Sequence, residues 1–293
     1  NAYLNKILKT EGEDYVIASD TDSIYLNLGP LVDVVYKDRE KNAESIVSFI
    51  DKICIEKFEP FIDNSYKELA QYVNAYDQMM FMKRENIAER GIWTAKKRYI
   101  LNVWDSEGVR YEEPNLKMMG IEAVKSSTPA PCRTMIKNGL KIMMNGTEEE
   151  VIDYIDECRT KFKTLPPEEI AFPRTVSNVK KYHSRTDIYS KGTPIHARGA
   201  LLFNFYIKKN KLDKKYSLIG NGEKIKFIYL KKPNIIQENV VSFIQDFPTE
   251  LNLDKYIDYD LQFEKSFLEP LKAILDAIGW NVEKTVNLEL FFT

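Results

Sequence analysis

Two short apolar runs near the start of the chain, residues 15–18 and 24–28, are rich in side chains that favour β-strands. The sequence Asp20-Thr-Asp22 lies at the corner between them, so the pattern predicts a β-hairpin with two carboxylates at its tip. Mg²⁺ takes one or two carboxylates together with substrate phosphates, and acids fixed on rigid strands suit such a site. Ordinary turn acids are the alternative interpretation, because Asp is common in turns.

After this hairpin, apolar residues recur at helical spacing over residues 40–57 and again over residues 59–76, which predicts two core-facing helices. From residue 79 to residue 111 the period changes to two. We therefore expect an antiparallel sheet that is contiguous with the first hairpin. The apolar face of the second helix consists of Ile62, Tyr66, Leu69, Val73 and Tyr76.

The pattern becomes more helical after a break at Gly120. Thr147, with Glu150 three residues later, is typical of a capping box that opens a helix. The chain therefore reads as an α+β protein with two parts. Residues 1–120 combine an antiparallel sheet with packed helices, and residues 121–293 are mainly helical.

Composition narrows the classes of function. The chain has 293 residues, is 44% hydrophobic and carries a formal charge of -2, so it can bury a sizeable core. A nucleic-acid partner would have to bind a basic face rather than the whole body. The three cysteines are far apart and lack C-x-x-C spacing, which favours a reducing compartment and no structural zinc. No apolar run approaches transmembrane length, so we expect no membrane partner.

Three consecutive cations, Lys96, Lys97 and Arg98, interrupt an apolar stretch that has the period of a strand. In one extended strand Lys97 would point away from its two neighbours, so at least one cation would need an anion nearby. A charged edge strand that discourages aggregation would explain the lysines, but it explains Tyr99 and the flanking tryptophans less well. Arg, Lys and Tyr together suit the phosphate backbone of a nucleic-acid duplex.

These motifs carry a resemblance to a known family. The segment Asp20-Thr-Asp-Ser23, followed about seventy residues later by Lys96-Lys-Arg-Tyr99, resembles the third polymerase motif and the K-K-R-Y motif of family B DNA polymerases. Other segments are similar to the branch found in T-even-like bacteriophages. They are Leu101-Asn-Val-Trp-Asp105, Gly108-Val-Arg-Tyr-Glu-Glu-Pro114, Lys117-Met-Met-Gly-Ile-Glu122, Lys125-Ser-Ser-Thr-Pro129, Pro194-Ile-His-Ala-Arg-Gly199 and Gly222-Glu-Lys-Ile225.

The resemblance implies that residues 1–120 are the C-terminal part of a polymerase palm and that residues 121–293 are a thumb. It implies template-directed addition of deoxynucleoside triphosphates to the 3′ end of a primer by two Mg²⁺ ions. The sequence lacks the family's upstream palm motif, which supplies a second metal-binding aspartate, and its fingers and exonuclease motifs. We therefore expect the chain to be the C-terminal part of something longer, either split between genes or truncated. It would need an upstream polymerase portion, and it would work in the cytoplasm of an infected bacterium.

The same resemblance assigns roles to single residues. Asp22 matches the catalytic metal ligand, and Asp20 and Lys97 match catalytic residues that tune metal coordination. Asp105 is a possible support of the active site, or otherwise a strand-end acid that pairs with Lys or Arg. The residues that match the segment holding primer-template DNA are Lys96, Lys97, Arg98 and Tyr99.

The end of the sequence, approximately residues 284–293, carries another candidate site. Leu288 stands three and four positions before Phe291 and Phe292, a spacing that resembles the sliding-clamp-binding peptide of replication proteins. The alternative is that these side chains pack on the core of the thumb.

Two other functions compete with a polymerase. In a nucleotide-sugar transferase, a D-x-D motif holds a metal and a diphosphate, but that reading leaves Lys96 to Tyr99 unexplained. The second alternative is a non-catalytic module that binds duplex DNA and a sliding clamp.

Overall fold

The computed structural model describes residues 1–184 and 186–283. The chain divides into two compact units, Asn1–Met119 and Gly120–Thr293, which we call the first unit and the second unit. Both units combine helices with antiparallel sheets, so the predicted α+β class is confirmed. Their assignment to a palm and a thumb stays a prediction.

The first unit contains a two-stranded hairpin, a three-stranded antiparallel sheet of order β3-β4-β5, and four α-helices. A π-helical turn over Cys54–Phe58 joins α3 to α4. The elements are α1 (Ala2–Leu8), β1 (Val16–Asp20), β2 (Ser23–Leu26), α2 (Gly29–Val35), α3 (Ala43–Ile53), α4 (Glu59–Tyr72), β3 (Asn86–Ala95), β4 (Arg98–Ser106) and β5 (Val109–Met119).

The expectation of one contiguous sheet is wrong, because β1 and β2 pair with each other and not with β3, β4 or β5. Side chains join the two sheets instead. The ring of Tyr25 on β2 lies 5.2 Å from that of Trp93 on β3 and 5.5 Å from that of Tyr99 on β4, measured between ring centroids. The hairpin is therefore fixed on the larger sheet by aromatic packing.

The two helices predicted to face the core differ in the structure. Helix α3 buries Ile50, as its period predicted, and it also buries Val47, which lies outside the apolar face that the period predicted. Helix α4 has no buried residue, and Leu69 and Val73 on its predicted inner face are 44% and 58% exposed. The prediction for α4 is therefore wrong in the described part of the chain. A helical period shows that a face is apolar, but it does not show what covers that face.

The second unit has a three-stranded antiparallel sheet of order β6-β7-β8, with helices around it. The capping box at Thr147 and Glu150 is present, as predicted. Helix α8 packs closely on β8, and Gly199 permits this approach, since an added Cβ would lie 3.0 Å from the backbone nitrogen of Ser242. The elements are α5 (Ala130–Asn145), α6 (Glu148–Phe162), α7 (Pro167–Ile170), β6 (Phe172–Thr175), α8 (Ile195–Lys209), β7 (Lys224–Tyr229), β8 (Val240–Phe243), α9 (Tyr259–Phe263) and α10 (Glu269–Leu275).

Among residues 1–184 and 186–283, no helix combines the length and the apolar character needed to cross a membrane.

Candidate functional site

The tip of the first hairpin carries the two predicted acids. Asp20 pairs with Ser23 across the strands, so Thr21 and Asp22 form the turn itself. One carboxylate oxygen of Asp20 accepts a hydrogen bond of 2.9 Å from the backbone N–H of Thr21 and one of 3.3 Å from its hydroxyl. These bonds fix the carboxylate of Asp20, which is half-buried, while that of Asp22 is exposed to solvent.

A second hairpin tip carries the basic motif. Ala95 pairs with Arg98, so Lys96 and Lys97 form a tight turn between β3 and β4 rather than part of one strand. The prediction of a single strand with Lys97 on the opposite face is therefore wrong. Both lysines are exposed and Arg98 is half-buried. Lys97 has a φ of 59°, a left-handed conformation that a residue other than glycine rarely adopts.

The charges of the two tips act on each other. The pKa of Asp20 is lowered from its ordinary value, chiefly by the hydrogen bond from the backbone N–H of Thr21. Partial burial opposes this shift, whereas the positive charges of Lys97 and, more weakly, Lys96 add to it. Two motifs that are about seventy residues apart in the sequence therefore lie within electrostatic reach in the first unit.

An aromatic cluster lies behind the two tips. Tyr99 is only 7% exposed and packs with Leu101 and Val103, against Tyr25 and Trp93. Burial raises the pKa of Tyr25 to about 12, and a hydrogen bond with Tyr99 contributes to the shift. The structure thus places Tyr99, predicted to bind DNA, in the packing that supports the basic turn. Its contact with DNA stays a prediction.

Asp105 lies in a separate cluster of charges. Its carboxylate is 1% exposed and accepts a hydrogen bond from Arg84, one of 2.7 Å from Arg110 Nε and one of 2.9 Å from the backbone N–H of Gly108. Burial alone would raise the pKa of Asp105, but these hydrogen bonds and the charge of Arg84 together lower it. Arg84 also donates a bond of 2.6 Å to Asp51 on α3.

These contacts match the alternative role that the sequence suggested for Asp105, an acid paired with arginine. The sequence alone did not reveal the two partners of Asp105, which are Arg84 and Arg110, or Asp51, which pairs with the same two arginines. One indication of these partners was present in the sequence, which was Asp105 itself. A carboxylate at the end of an apolar strand needs a cationic partner if that position is buried.

The carboxylates at the acidic tip are of the donor type that Mg²⁺ prefers. Asp20 and Asp22 supply two carboxylates at the end of a rigid hairpin, and Mg²⁺ completes its shell with waters and substrate phosphates. Within residues 1–184 and 186–283, no group of three His, Cys, Asp or Glu side chains could hold a metal ion. The candidate clamp-binding residues Leu288, Phe291 and Phe292 lie outside the described residues.

Comparison with known proteins gives no match to a family model. The chain is 36% identical over 300 residues to the DNA-directed DNA polymerase of Escherichia phage RB69, which covers 98% of this chain. It is 31% identical over 304 residues to the DNA-directed DNA polymerase of Enterobacteria phage T4, which covers the whole chain. The chain spans about one third, 33%, of the length of these curated relatives, in their C-terminal part.

Proposed function

Because the chain is related over its whole length to T-even-like phage DNA polymerases, as its motifs predicted, we propose that it is the C-terminal part of a replicative DNA-directed DNA polymerase. In this proposal it adds deoxynucleotides to a primer on a DNA template. It does so together with a further polymerase portion, equivalent to the two thirds of the relatives that lie outside the match.

One observation supports this function best. A tip with two carboxylates lies within electrostatic reach of a tip with two exposed lysines, and aromatic packing holds both hairpins in place. Such a site can hold a cation on one side and an anionic backbone on the other. Nucleotidyl transfer needs both, since it joins a metal-bound nucleotide to a primer that must stay in position.

In this site Asp22, and Asp20 beside it, would hold Mg²⁺, which supplies charge stabilisation at the attacking and leaving oxygens. The bond from Thr21 orients the Asp20 carboxylate and favours its ionised form. Lys97 places a positive charge beside Asp20, so it adjusts how strongly that carboxylate attracts a cation. An aspartate from the remaining polymerase portion would complete the metal site.

Lys96, Lys97 and Arg98 would bind the phosphates of the primer-template duplex. Because the two lysines form a turn rather than part of a strand, both ammonium groups can approach one DNA backbone. Such contacts position a duplex without reading its sequence, as a replicative enzyme requires. The proposal also includes a sliding clamp, bound by Leu288, Phe291 and Phe292.

The test is single-turnover primer extension by the chain combined with the remaining polymerase portion. A carboxylate that binds the metal contributes several kcal/mol to the transition state, so Asp22→Ala should slow nucleotide addition by about a thousandfold or more. Asp20→Ala should cost less, and Asp38→Ala, at an exposed acid outside both hairpins, should leave the rate unchanged.

Equal rates for Asp22→Ala and wild type would refute the catalytic role. If the assembled complex bound DNA but wild type did not extend the primer, a non-catalytic DNA-binding and clamp-binding module would be the better description.

A further inference from the structure

The end of α4 and the loop after it expose an unusual amount of apolar surface. Tyr72 is 88% exposed and Tyr76 is fully exposed, at 107%, while Met79 and Phe81 in the loop are each 76% exposed. We call this surface the apolar platform. It consists of Leu69, Tyr72, Val73, Tyr76, Met79 and Phe81.

The apolar residues of the platform have the arrangement of a helix face that packs against another surface. Leu69, Tyr72 and Val73 stand at positions i, i+3 and i+4, so they lie on one face of α4. Lys67 and Gln71 lie on the opposite face, which makes the end of the helix amphipathic. A soluble helix normally buries such a face, yet no residue of α4 is buried. Large exposed apolar patches mark sites of interaction.

The loop that carries the second half of the platform is held by specific hydrogen bonds. The backbone N–H of Ala75 donates to the carbonyl of Ala70 at 2.8 Å and closes the end of α4. Gln78 makes two bonds with the backbone of Met80, and the one that its side-chain oxygen accepts measures 2.6 Å. These bonds order the backbone that carries the platform, and an ordered backbone lowers the entropy lost when a partner binds.

The far end of the loop is anchored to the charged cluster described above. The backbone N–H of Arg84 donates to Glu59 on α4 at 3.0 Å, and its guanidinium pairs with Asp51 on α3 and with Asp105 on β4. The platform is therefore connected to the helices and to the large sheet of the first unit. A partner bound there would be placed relative to the candidate site on the same unit.

The chemistry of the platform favours a protein partner over nucleic acid. Asp77 is the one charged residue between Leu69 and Met82, and it is an acid. Lys and Arg supply most of the affinity for a phosphate backbone, and residues 69–82 contain neither. Three methionines, Met79, Met80 and Met82, add adaptable apolar side chains of the kind that suits a protein interface.

We propose that the apolar platform is the surface on which the remaining portion of the polymerase docks. This inference rests on the proposed function. The proposed partner is the polypeptide equivalent to the part of the two phage polymerases that precedes the matched third. That part is about twice as long as the matched third, since the match spans 33% of each relative.

The test measures complex formation apart from catalysis. Two probes are used: the polypeptide from the same source that is equivalent to the preceding two thirds, and the corresponding part of the RB69 phage polymerase. Isothermal calorimetry without DNA gives the affinity for the chain, and sedimentation gives the stoichiometry. The test variant is Tyr72→Ser with Tyr76→Ser. Because both side chains are exposed, these changes should leave the melting temperature unchanged.

We expect a one-to-one complex with the same-source probe, and a loss of affinity of roughly a hundredfold or more in the double variant, since buried tyrosines are frequent hot spots. Two matched controls replace exposed apolar residues elsewhere, Val34→Ser in the first unit and Phe205→Ser in the second. Both should change the affinity less than twofold. Weaker binding of the RB69 probe, with the same sensitivity to the double variant, would also support the proposal.

Three results would overturn it: no complex of the wild-type chain with either probe, equal affinity of wild type and the double variant, or a dimer of the chain itself formed through the platform. Primer extension by the same complexes separates this inference from the proposed function. A platform-dependent complex that does not extend a primer leaves the docking site standing and refutes the polymerase. A complex that extends a primer, and whose affinity is unchanged in the double variant, supports the polymerase function and refutes the docking site.

Discussion

Replacing Asp105 by Asn tests whether this acid stabilises the first unit or takes part in the active site. The variant keeps the size of the side chain but removes its charge, at a position that is 1% exposed. The Arg84 side chain, itself only 11% exposed, would keep its ion pair with Asp51. Arg110, which is more exposed, would lose its shorter ion pair, of 2.7 Å, and keep one of 3.8 Å to Asp51.

The expected cost follows from these contacts. Removing one partner from a buried ion pair destabilises proteins by about 3–5 kcal/mol. Asp51 still compensates Arg84, so we expect the lower end, about 3 kcal/mol. For a unit the size of residues 1–119, this corresponds to a fall in melting temperature of roughly 10–20 °C. Arg110→Ala should cost less, because that guanidinium is partly solvated.

The assay is urea denaturation of the whole chain followed by tryptophan fluorescence. Trp104 lies beside Asp105 on β4 and packs with the core formed by Val47 and Ile50, so it reports on the first unit. Asp38→Asn, at an exposed acid, is the matched control. A loss below about 1 kcal/mol for Asp105→Asn would refute the reasoning, since it would equal an ordinary exposed pair.

The pH dependence provides an independent check. The pKa of Asp105 is lowered in the folded chain, so its contribution to stability is present above the unfolded pKa of about 4. That contribution is lost as the pH falls through the lower folded value. The difference in stability between wild type and Asp105→Asn should therefore be full at pH 7 and should shrink below about pH 4. Well below its melting temperature, the reconstituted variant should extend primers at the wild-type rate. A large loss of rate there would assign Asp105 to the active site.

Three further predictions concern other parts of the chain. If Lys96 contacts a phosphate, Lys96→Ala should reduce the slope of log K against log salt by roughly 0.9 on two unrelated duplexes, and an unchanged slope would favour the charged-edge explanation. Gly199→Ala should destabilise the second unit by roughly 1–2 kcal/mol in thermal unfolding, because the methyl group would press on Ser242, whereas Gly139→Ala, whose methyl group would meet neighbours at 3.5 Å or more, should be neutral or stabilising. Deleting residues 288–293 should leave single-nucleotide addition intact and abolish clamp-stimulated long synthesis; a large fall in melting temperature with stimulation retained would place these residues in a core.

The acidic hairpin could be predicted because its signals are local. β-Forming runs on both sides of a short polar corner specify a hairpin, and the corner itself contains the two acids. The capping box at Thr147 is similarly local, since both of its partners lie within one turn of helix. In both cases the residues that make the structure are neighbours in the sequence.

The basic turn could not be recognised from the same rules. Lys96-Lys97 lacks the glycine or asparagine that usually marks a tight hairpin. Trp93 pairs with Tyr99, six positions later, and Ile92 pairs with Ile100, eight positions later. Residues separated by an even number share a face in one continuous strand, and paired residues share a face in a hairpin. The alternation of apolar residues is therefore the same for both structures and cannot distinguish them.

The relation between the two hairpin tips depends on contacts that no local pattern contains. Tyr25, on the acidic hairpin, packs against Trp93 and Tyr99 of the basic hairpin, which are about seventy residues away in the sequence. Because the pKa of Tyr25 is about 12, its phenol is uncharged at neutral pH and adds no charge to those of the tips. The tips themselves present acids on one side and lysines on the other. Under the proposed function, a metal ion or a DNA phosphate bound there would meet a nearly balanced set of charges, and the binding of one would change the electric field that the other experiences.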